Sequence, residues 1–287
     1  MYEKFYGFTD RPFNLTPDSK FFFASSKHEE ALNRLLLAIS ERNGFAVITG
    51  DIGSGKTTTS RALLSRLDPS TKIALILNTH LSKKELLETI LDDFGVEYHA
   101  TSKPRLLSAL NKFLLEQAAK EVNVVLIIDE AQNLTASVLE EIRMLSNMET
   151  ETEKLIQIIL IGQPELRAKL AHHKLAQFSQ RIVFYYHLSS LNESETERYI
   201  QHRLKTAGNE NVDIFTKEAI DEIYRYSGGI PRLINLACHI TLISGLLYEV
   251  KQITREIAVE AIEDLMHRTT YMPLHKPSEK VIVVGVN

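Results

Sequence analysis

Short hydrophobic runs alternate with longer amphipathic stretches through the first two thirds of the chain. The runs are nearly continuous and rich in β-branched residues, which is typical of strands buried on both faces of a parallel sheet. They occupy residues 45–49, 73–77, 124–128, 156–161 and 182–186. The stretches between them have helical periodicity, at residues 56–67, 84–94, 104–119 and 136–148. The alternation predicts a doubly wound α/β layer joined by right-handed crossovers.

The pattern changes after residue 191, where helical periodicity continues without a strand pattern. The helical segments are 193–207, 216–226, 231–247 and 255–267. Asn192 and Thr216 are suitable N-caps, and Pro231 suits the first turn of a helix. The apolar stretch 233–247 is interrupted by polar side chains, so we expect a buried helix there and not a membrane span. These features predict a separate, small helical domain.

Composition narrows the class of protein. Hydrophobic residues make up 44% and charged residues 24% of the 287 residues, which is typical of a globular chain and excludes a disordered or fibrous one. The 33 basic and 37 acidic side chains give a net charge of -4, so overall charge offers no argument for nucleic-acid binding. The single cysteine, Cys238, excludes an internal disulfide and a cysteine-based metal site. No secretory signal pattern opens the sequence, and we expect a cytoplasmic protein.

A glycine-rich loop follows the first predicted strand. Residues 50–57, GDIGSGKT, match the pattern G-x-x-x-x-G-K-[ST] in full. Glycines let successive N–H groups point at phosphate oxygens, and the N-terminus of the following helix adds positive potential. We therefore expect Lys56 to reach the β- and γ-phosphates of a nucleoside triphosphate and the Thr57 hydroxyl to ligate Mg²⁺.

Two carboxylates follow the third predicted strand directly. Ligand sites in sheets of this kind lie at the carboxyl ends of the strands, so Asp129 and Glu130 are expected to face the nucleotide. Asp129 is predicted to hold Mg²⁺ directly or through water, and Glu130 to polarise the attacking water. A chain with the first carboxylate alone would bind nucleotide and turn it over poorly, so the pair favours hydrolysis.

Two polar residues are candidates for contact with the γ-phosphate from the same subunit. Gln163 ends the fourth predicted strand and is expected at the same sheet edge as Asp129, where it would bond the γ-phosphate or the attacking water. The alternative is a polar residue that merely starts the helix at Pro164. Arg232 opens the third helix of the small domain and would lie over the nucleotide from that side.

Two other arginines are candidates for contact across a subunit boundary. Arg181 stands just before the fifth predicted strand, and in a ring or filament its guanidinium would stabilise the charge that develops on a neighbour's γ-phosphate. Arg143 lies on the helix after the acidic pair and is a weaker candidate. Its alternative is a surface ion pair with Glu140 or Glu141.

With these residues in place, the chain resembles an AAA+ ATPase. More narrowly, it resembles the ExeA type, the general secretion pathway protein A ATPases and their relatives in mannose-sensitive pilus and exopolysaccharide loci. The resemblance covers residues 1–268 and rests on motifs spread along the chain. They are YGF at 6–8, PF at 12–13, TPD at 16–18, HEEAL at 28–32, the loop at 50–57, IDEAQNL at 128–134, EIRMLSN at 141–147, LIGQPEL at 160–166, QRI at 180–182, YHL at 186–188 and SGGIPRLIN at 227–235.

The resemblance implies a parallel five-stranded sheet in the order 5-1-4-3-2, a C-terminal helical lid, and ATP with Mg²⁺ bound between them. It also implies that the segment near Phe22, Phe23 and His28 encloses the adenine, the alternative being a local hydrophobic cluster. The predicted nucleotide-binding residues are Gly50, Asp51, Ile52, Gly53, Ser54, Gly55, Lys56, Thr57, Thr58, Phe23, Ile230 and Arg232. The predicted metal ligands are Thr57 and Asp129, and the predicted catalytic residues are Glu130, Lys56, Gln163, Arg181 and Arg232.

The expected domain boundaries follow from the same analysis. Residues 1–43 form an N-terminal arm and first helix packed on the nucleotide site, and 44–190 form the ATPase domain. Residues 191–268 form the lid, and 269–287 form a tail with a possible edge strand at 281–286. Tyr185 stands where the family commonly has an arginine, so any role of that arginine is absent or moved. The resemblance implies that family members often continue into a membrane span and a peptidoglycan-binding domain. Residues 1–287 carry neither pattern, so we carry over no wall-binding role.

Three functions remain open on the sequence. The first is ATP-driven oligomerisation that supports assembly of a secretion, pilus or polysaccharide-export machine, through protein partners at the inner membrane. The second is a DNA-associated ATPase serving transposition, for which a basic stripe of Lys83, Lys84, Lys103 and Arg105 would contact phosphates unless it is a solvated face. The third is a nucleotide-gated binding module with negligible turnover.

Overall fold

The structure is a computed structural model that describes residues 2–16, 18–99, 102–151, 153–209 and 213–268. The tail predicted at 269–287, with its edge strand, lies outside the described residues. The strands are β1 (Phe45–Gly50), β2 (Lys72–Ile76), β3 (Val124–Ile128), β4 (Gln157–Gly162) and β5 (Ile182–Leu188). The helices are α1 (Tyr2–Tyr6), α2 (Ser26–Ser40), α3 (Lys56–Arg66), α4 (Lys83–Asp93), α5 (Lys103–Ala118), α6 (Ala136–Leu145), α7 (Pro164–Leu170), α8 (Ala176–Ser179), α9 (Glu193–Thr206), α10 (Lys217–Ser227), α11 (Pro231–Leu247) and α12 (Arg255–Arg268).

All five strands run parallel in the order β2-β3-β4-β1-β5. This is the predicted order 5-1-4-3-2 counted from the opposite edge, so the fold prediction is confirmed. The register aligns the carboxyl ends: Thr49 of β1 pairs with Gly162 of β4, and Ile128 of β3 pairs with Leu160. The residues that follow these strands therefore meet at one edge of the sheet.

Alternate residues along the central strands enter two separate cores. Helices α4 to α8 cover one face, where they pack on residues such as Val47, Leu126 and Leu160. Helices α2 and α3 cover the other face, on residues such as Ile48 and Ile127. Successive side chains of a strand point to opposite faces of the sheet. Because both faces are covered by helices, both sets of side chains are apolar.

The N-terminal arm packs into the helical lid. A third core joins Tyr2, Tyr6, Phe13 and Phe21 to side chains of α9 to α12. Side-chain caps start two of the lid helices. The Asn192 side chain accepts from the backbone N–H of Glu195 in α9, and the Thr216 side chain accepts from the backbone N–H of Ala219 in α10. Cys238 is fully buried in α11 within this core, as expected for a small apolar side chain. Residues distant in sequence therefore share one lid core.

A close backbone contact within the lid joins the segment after β5 to the turn between α10 and α11. The backbone N–H of Leu191 donates to the carbonyl oxygen of Gly229 at 2.9 Å, and Gly229 has a φ of +76°. A Cβ added to Gly229 would lie 1.8 Å from the carbonyl oxygen of Leu191. The neighbouring Gly228 also has a positive φ, of +56°, but a Cβ there would meet open space. A side chain at Gly229 would therefore clash with the backbone, whereas one at Gly228 would not.

We predict that Gly229→Ala destabilises the protein far more than Gly228→Ala. Both substitutions force alanine into the left-handed region at a cost of about 1–2 kcal/mol, and Gly229→Ala must also displace the backbone of Leu191. Urea unfolding followed by circular dichroism measures the two free energies of unfolding. Equal losses for the two variants would contradict the contact described here.

Candidate nucleotide-binding site

The loop between β1 and α3 is tightly enclosed on three sides. A Cβ at Gly50 would lie 2.7 Å from the carbonyl oxygen of Leu188, and one at Gly53 would lie 2.7 Å from Cβ of Arg232. A Cβ at Gly55 would lie 2.9 Å from Nε2 of His28. Gly53 and Gly55 also have φ of +81° and +97°, which side-chain-bearing residues rarely adopt. The sheet edge, the lid and α2 therefore all require glycine in this loop.

The loop offers unpaired donors where an anion would sit. Gly55 caps α3 without a side-chain hydrogen bond, so the first N–H groups of α3 have no side-chain partner at the cap. The Ser54 hydroxyl is buried and makes no hydrogen bond within the part of the chain that the structure describes. An open helix N-terminus next to a lysine fits a phosphate group, because both supply positive potential.

Lys56 is held inside the loop. Its Nζ donates to the carbonyl oxygens of Gly50 at 2.8 Å and Asp51 at 2.9 Å. Burial lowers the pKa of Lys56, while the nearby carboxylates of Glu130 and Asp129 act in the opposite direction. The amine is thus already positioned beside the helix N-terminus and loses little freedom on meeting a phosphate.

Asp129 and Thr57, the two predicted metal ligands, lie within hydrogen-bond distance of each other. The Thr57 hydroxyl donates to Oδ2 of Asp129 at 3.2 Å, and the backbone N–H of Glu130 donates to Oδ1 at 2.8 Å. Burial raises the pKa of Asp129, and these two hydrogen bonds oppose the rise. No group of three or more His, Cys, Asp or Glu side chains that could hold a metal ion is found among the described residues. Two oxygen ligands suit Mg²⁺, which usually takes its remaining ligands from phosphate and water.

Glu130 lies at the centre of a hydrogen-bonded group of amides. Its Oε2 accepts from Nε2 of Gln132 at 2.5 Å and from Nε2 of Gln163 at 3.2 Å. Its backbone has a φ of 52° and a ψ of 35°, a left-handed conformation that is costly for a side-chain-bearing residue. Gln163 was expected at this edge, whereas Gln132 stands in the motif at 128–134 without a predicted role.

A cavity of about 410 Å³ lies between the loop, the N-terminal arm and the lid. Ile52, Glu130, Gln163 and Arg232 are among its lining residues. The backbone N–H of Arg232 donates to the carbonyl oxygen of Gly53 at 3.4 Å, which ties α11 to the loop. The Arg232 side chain is exposed and has no carboxylate partner among the residues that the structure describes. Its charge is therefore available to an anion in the cavity.

Aromatic side chains of the N-terminal arm form the other end of the cavity. The Phe23 ring packs edge-on against Tyr199, with ring centroids 5.7 Å apart, and the Phe22 ring packs against His28. The His28 ring lies 2.7 Å from the Ser25 hydroxyl at Nδ1 and 3.2 Å from the Ser54 carbonyl oxygen at Nε2. Burial lowers the pKa of His28, which favours the neutral ring. His28 thus supports the loop from behind as well as lining the cavity.

A buried polar chain below these rings had no counterpart in the sequence analysis. Nη1 of Arg203 donates to the Tyr199 hydroxyl, and that hydroxyl donates to Oδ1 of Asn235, both at 2.9 Å. The Arg203 guanidinium also lies 4.8 Å from the centroid of the Phe21 ring. Tyr199 and Arg203 stand one turn apart on α9, which was the available signal, but only the fold shows that α9 faces the arm.

The two other arginines lie away from this cavity. Arg181 precedes β5 at the amino edge of the sheet, where Nη1 donates to the Ser146 hydroxyl at 2.8 Å. It is seven residues from Leu188, which pairs with Gly50, and this is a distance of about 23 Å at 3.3 Å per residue. Arg143 forms an ion pair with Glu140 at 2.7 Å, which is the alternative raised for it above. Neither guanidinium meets the nucleotide site of its own subunit.

Comparison with known proteins places these observations in a family. Residues 39–170 match the family model of the AAA domain. Over 246 residues, the chain is 42% identical to the general secretion pathway protein A of Aeromonas hydrophila, an alignment that covers 85% of this chain and 45% of that protein. The chain thus spans less than half the length of that relative. No helix among the described residues is both long and apolar enough to cross a bilayer.

Solved structures share the fold at low sequence identity. Cdc6p from Pyrobaculum aerophilum aligns with a TM-score of 0.67 and 19% identity, over 91% of this chain and 75% of that one. The ORC2 protein of Aeropyrum pernix, in ADPNP-ADP complexes, aligns with a TM-score of 0.63 and 15% identity, over 90% of this chain and 72% of that one. The sheet order, the loop and the sequence match together identify this chain as an AAA+ P-loop protein of the ExeA, or general secretion pathway protein A, type.

Proposed function

We propose that this protein binds ATP with Mg²⁺, hydrolyses it, and couples turnover to self-assembly in support of a secretion, pilus or exopolysaccharide-export machine. The observation that carries the proposal is the convergence of Lys56, Asp129, Glu130 and Gln163 at one sheet edge, opposite the unpaired Arg232 of the lid. The resemblance to general secretion pathway protein A supports the choice of machine. The partners are protein components at the inner membrane, and the protein reaches the membrane through them.

Each residue has a definite task in this proposal. Lys56 and the N-terminal amides of α3 bind the phosphates, and Thr57 and Asp129 hold Mg²⁺. That ion supplies neutralisation of charge on the phosphate oxygens. Glu130 orients the attacking water and accepts its proton, and Gln163 contacts the γ-phosphate. Arg232 binds from the lid, so the angle of the lid depends on the charge in the cavity.

The position of Arg181 supports completion of the site by a second subunit. Its guanidinium lies at the amino edge of the sheet and the phosphate loop at the carboxyl edge, so it has no reach to its own nucleotide. Its hydrogen-bond partners are the neutral side chains of Ser146 and Asn147, and it forms no ion pair among the described residues. We infer that Arg181 stabilises the developing charge in the adjoining subunit of a ring or filament.

The charge distribution disfavours the DNA-associated alternative. Two of the four residues in the basic stripe are paired with acids: Lys84 with Glu88 at 3.3 Å and Lys103 with Glu141 at 2.6 Å. A stripe with half of its charge neutralised offers few contacts to a phosphate backbone.

We expect a labelled duplex to show no ATP-dependent shift in anisotropy at low salt, and a salt-dependent shift would favour the DNA function instead.

Two variants separate nucleotide binding from hydrolysis. Lys56→Ala should lose nucleotide binding because the phosphates lose their main cation. Glu130→Gln should bind ATP as the wild type does and hydrolyse it at least about 100-fold more slowly, since the proton acceptor is gone. Fluorescent-nucleotide titration and phosphate release measure the two quantities. Glu116→Gln, an exposed carboxylate on α5, is the matched control. Equal, negligible turnover by wild type and Glu130→Gln would favour the nucleotide-gated module.

A mixture of two inactive variants tests the shared site. Arg181→Ala lacks the donated guanidinium but keeps Glu130, and Glu130→Gln has the converse defect. A 1:1 mixture should recover about a quarter of the wild-type rate, because that share of sites pairs an intact Glu130 with a neighbour's intact Arg181. Light scattering with and without ATP follows assembly in the same samples. A mixture as inactive as its components, with assembly intact, would contradict the shared site.

A further inference from the structure

The side chain of Gln132 bridges two elements of the site. Its Nε2 donates to Oε2 of Glu130 at 2.5 Å, and its Oε1 accepts from the backbone N–H of Gln163 at 3.0 Å. One amide therefore connects the carboxylate after β3 to the backbone at the end of β4. A glutamine suits this bridge because its side chain is a donor and an acceptor at once.

Gln132 is fixed along its backbone as well. It lies in the 3₁₀ turn Ala131–Asn133, whose first residue is fully buried. Nζ of Lys169, on α7, donates to the carbonyl oxygens of Gln132 and Leu134. A Cβ on Gly162 would lie 2.9 Å from Oε1 of Gln132, so the amide packs closely against the end of β4. The turn thus presents the Gln132 amide from a rigid position.

The two amides that hold Glu130 bond the same carboxylate oxygen. Gln132 and Gln163 both donate to Oε2, and Oε1 accepts no hydrogen bond within the part of the chain that the structure describes. Glu130 lines the cavity. The carboxylate is therefore held by one oxygen while the other remains available to a water molecule.

We propose that Gln132 is the positioning residue for Glu130, an inference that rests on the proposed ATP hydrolysis. The side-chain amide of Gln163 can donate either to Glu130 or to a γ-phosphate, and it cannot hold both with the same N–H. When it turns to the phosphate, Glu130 loses one of its two amide bonds. Gln132 supplies the other bond and keeps the carboxylate aimed at the attacking water throughout.

Steady-state kinetics of Gln132→Ala test this role. We expect kcat to fall about 10- to 100-fold with KM for ATP changed less than about twofold. The substitution disturbs the orientation of the Glu130 carboxylate and leaves the ATP contacts in place. Asn133→Ala is the matched control, as Asn133 is an exposed neighbour in the same turn. Unchanged kcat in Gln132→Ala, or a loss shared equally by Asn133→Ala, would overturn the inference.

The pH profile of Gln132→Glu separates positioning from a purely structural role. The introduced carboxyl still accepts from the N–H of Gln163, but when ionised it has no proton for Glu130 and repels it. As the pH falls, protonation restores the donor, so the ratio of its kcat to that of the wild type should rise between about pH 8 and pH 5.5. A ratio independent of pH would overturn the positioning role.

The same measurements distinguish this inference from the proposed function. If wild type and Glu130→Gln hydrolyse ATP equally, the proposed hydrolysis fails, and with it any role for Gln132 in it. If the wild type is active, Glu130→Gln is inactive and Gln132→Ala retains the wild-type kcat, only the inference about Gln132 fails.

Discussion

The alignment of strand ends is the constraint on which the site depends. Parallel pairing makes β1, β3 and β4 end within about three residues of one another, so the residues that follow them lie at the same edge of the sheet. Gly50, Asp129 and Gln163 are thus brought together by backbone hydrogen bonds far more extensive than their own contacts. The local features, such as the left-handed backbone of Glu130, refine a geometry that the sheet already sets.

Much of the fold could be predicted from the sequence because its signals are local. Continuous β-branched runs bounded by glycine and polar residues gave the strands, and Asn192 and Thr216 gave the starts of lid helices. The helix after the acidic pair was predicted to run to residue 148 and ends at Leu145. The hydroxyl of Ser146 there bonds the Arg143 carbonyl oxygen and accepts from Arg181. Those bonds offer the chain an alternative to further helical turns, and periodicity does not register them.

The site was predictable only in part, because some of its contacts join residues that are distant in sequence. Lys56, Thr57, Asp129 and Glu130 stand in motifs whose spacing reflects their chemistry. Gln132 gains its meaning from the backbone of Gln163, which is 31 residues away in sequence. Contacts of this kind depend on which strands are neighbours, and a single sequence carries no direct record of that. The buried chain of Arg203, Tyr199 and Asn235 escaped prediction in the same way.

The N-terminal arm gives the lid a second connection to the phosphate loop. Tyr6, Phe13 and Phe21 are built into the lid core, and a few residues later His28 rests against Ser54 and Gly55. The lid thus meets the loop in two places, through the bond from the backbone N–H of Arg232 to Gly53 and through the start of α2. Only residues 22–25 separate the part of the arm that lies in the lid core from the start of α2. A change in the position of the lid core would therefore reach the phosphate loop through the arm as well as through α11.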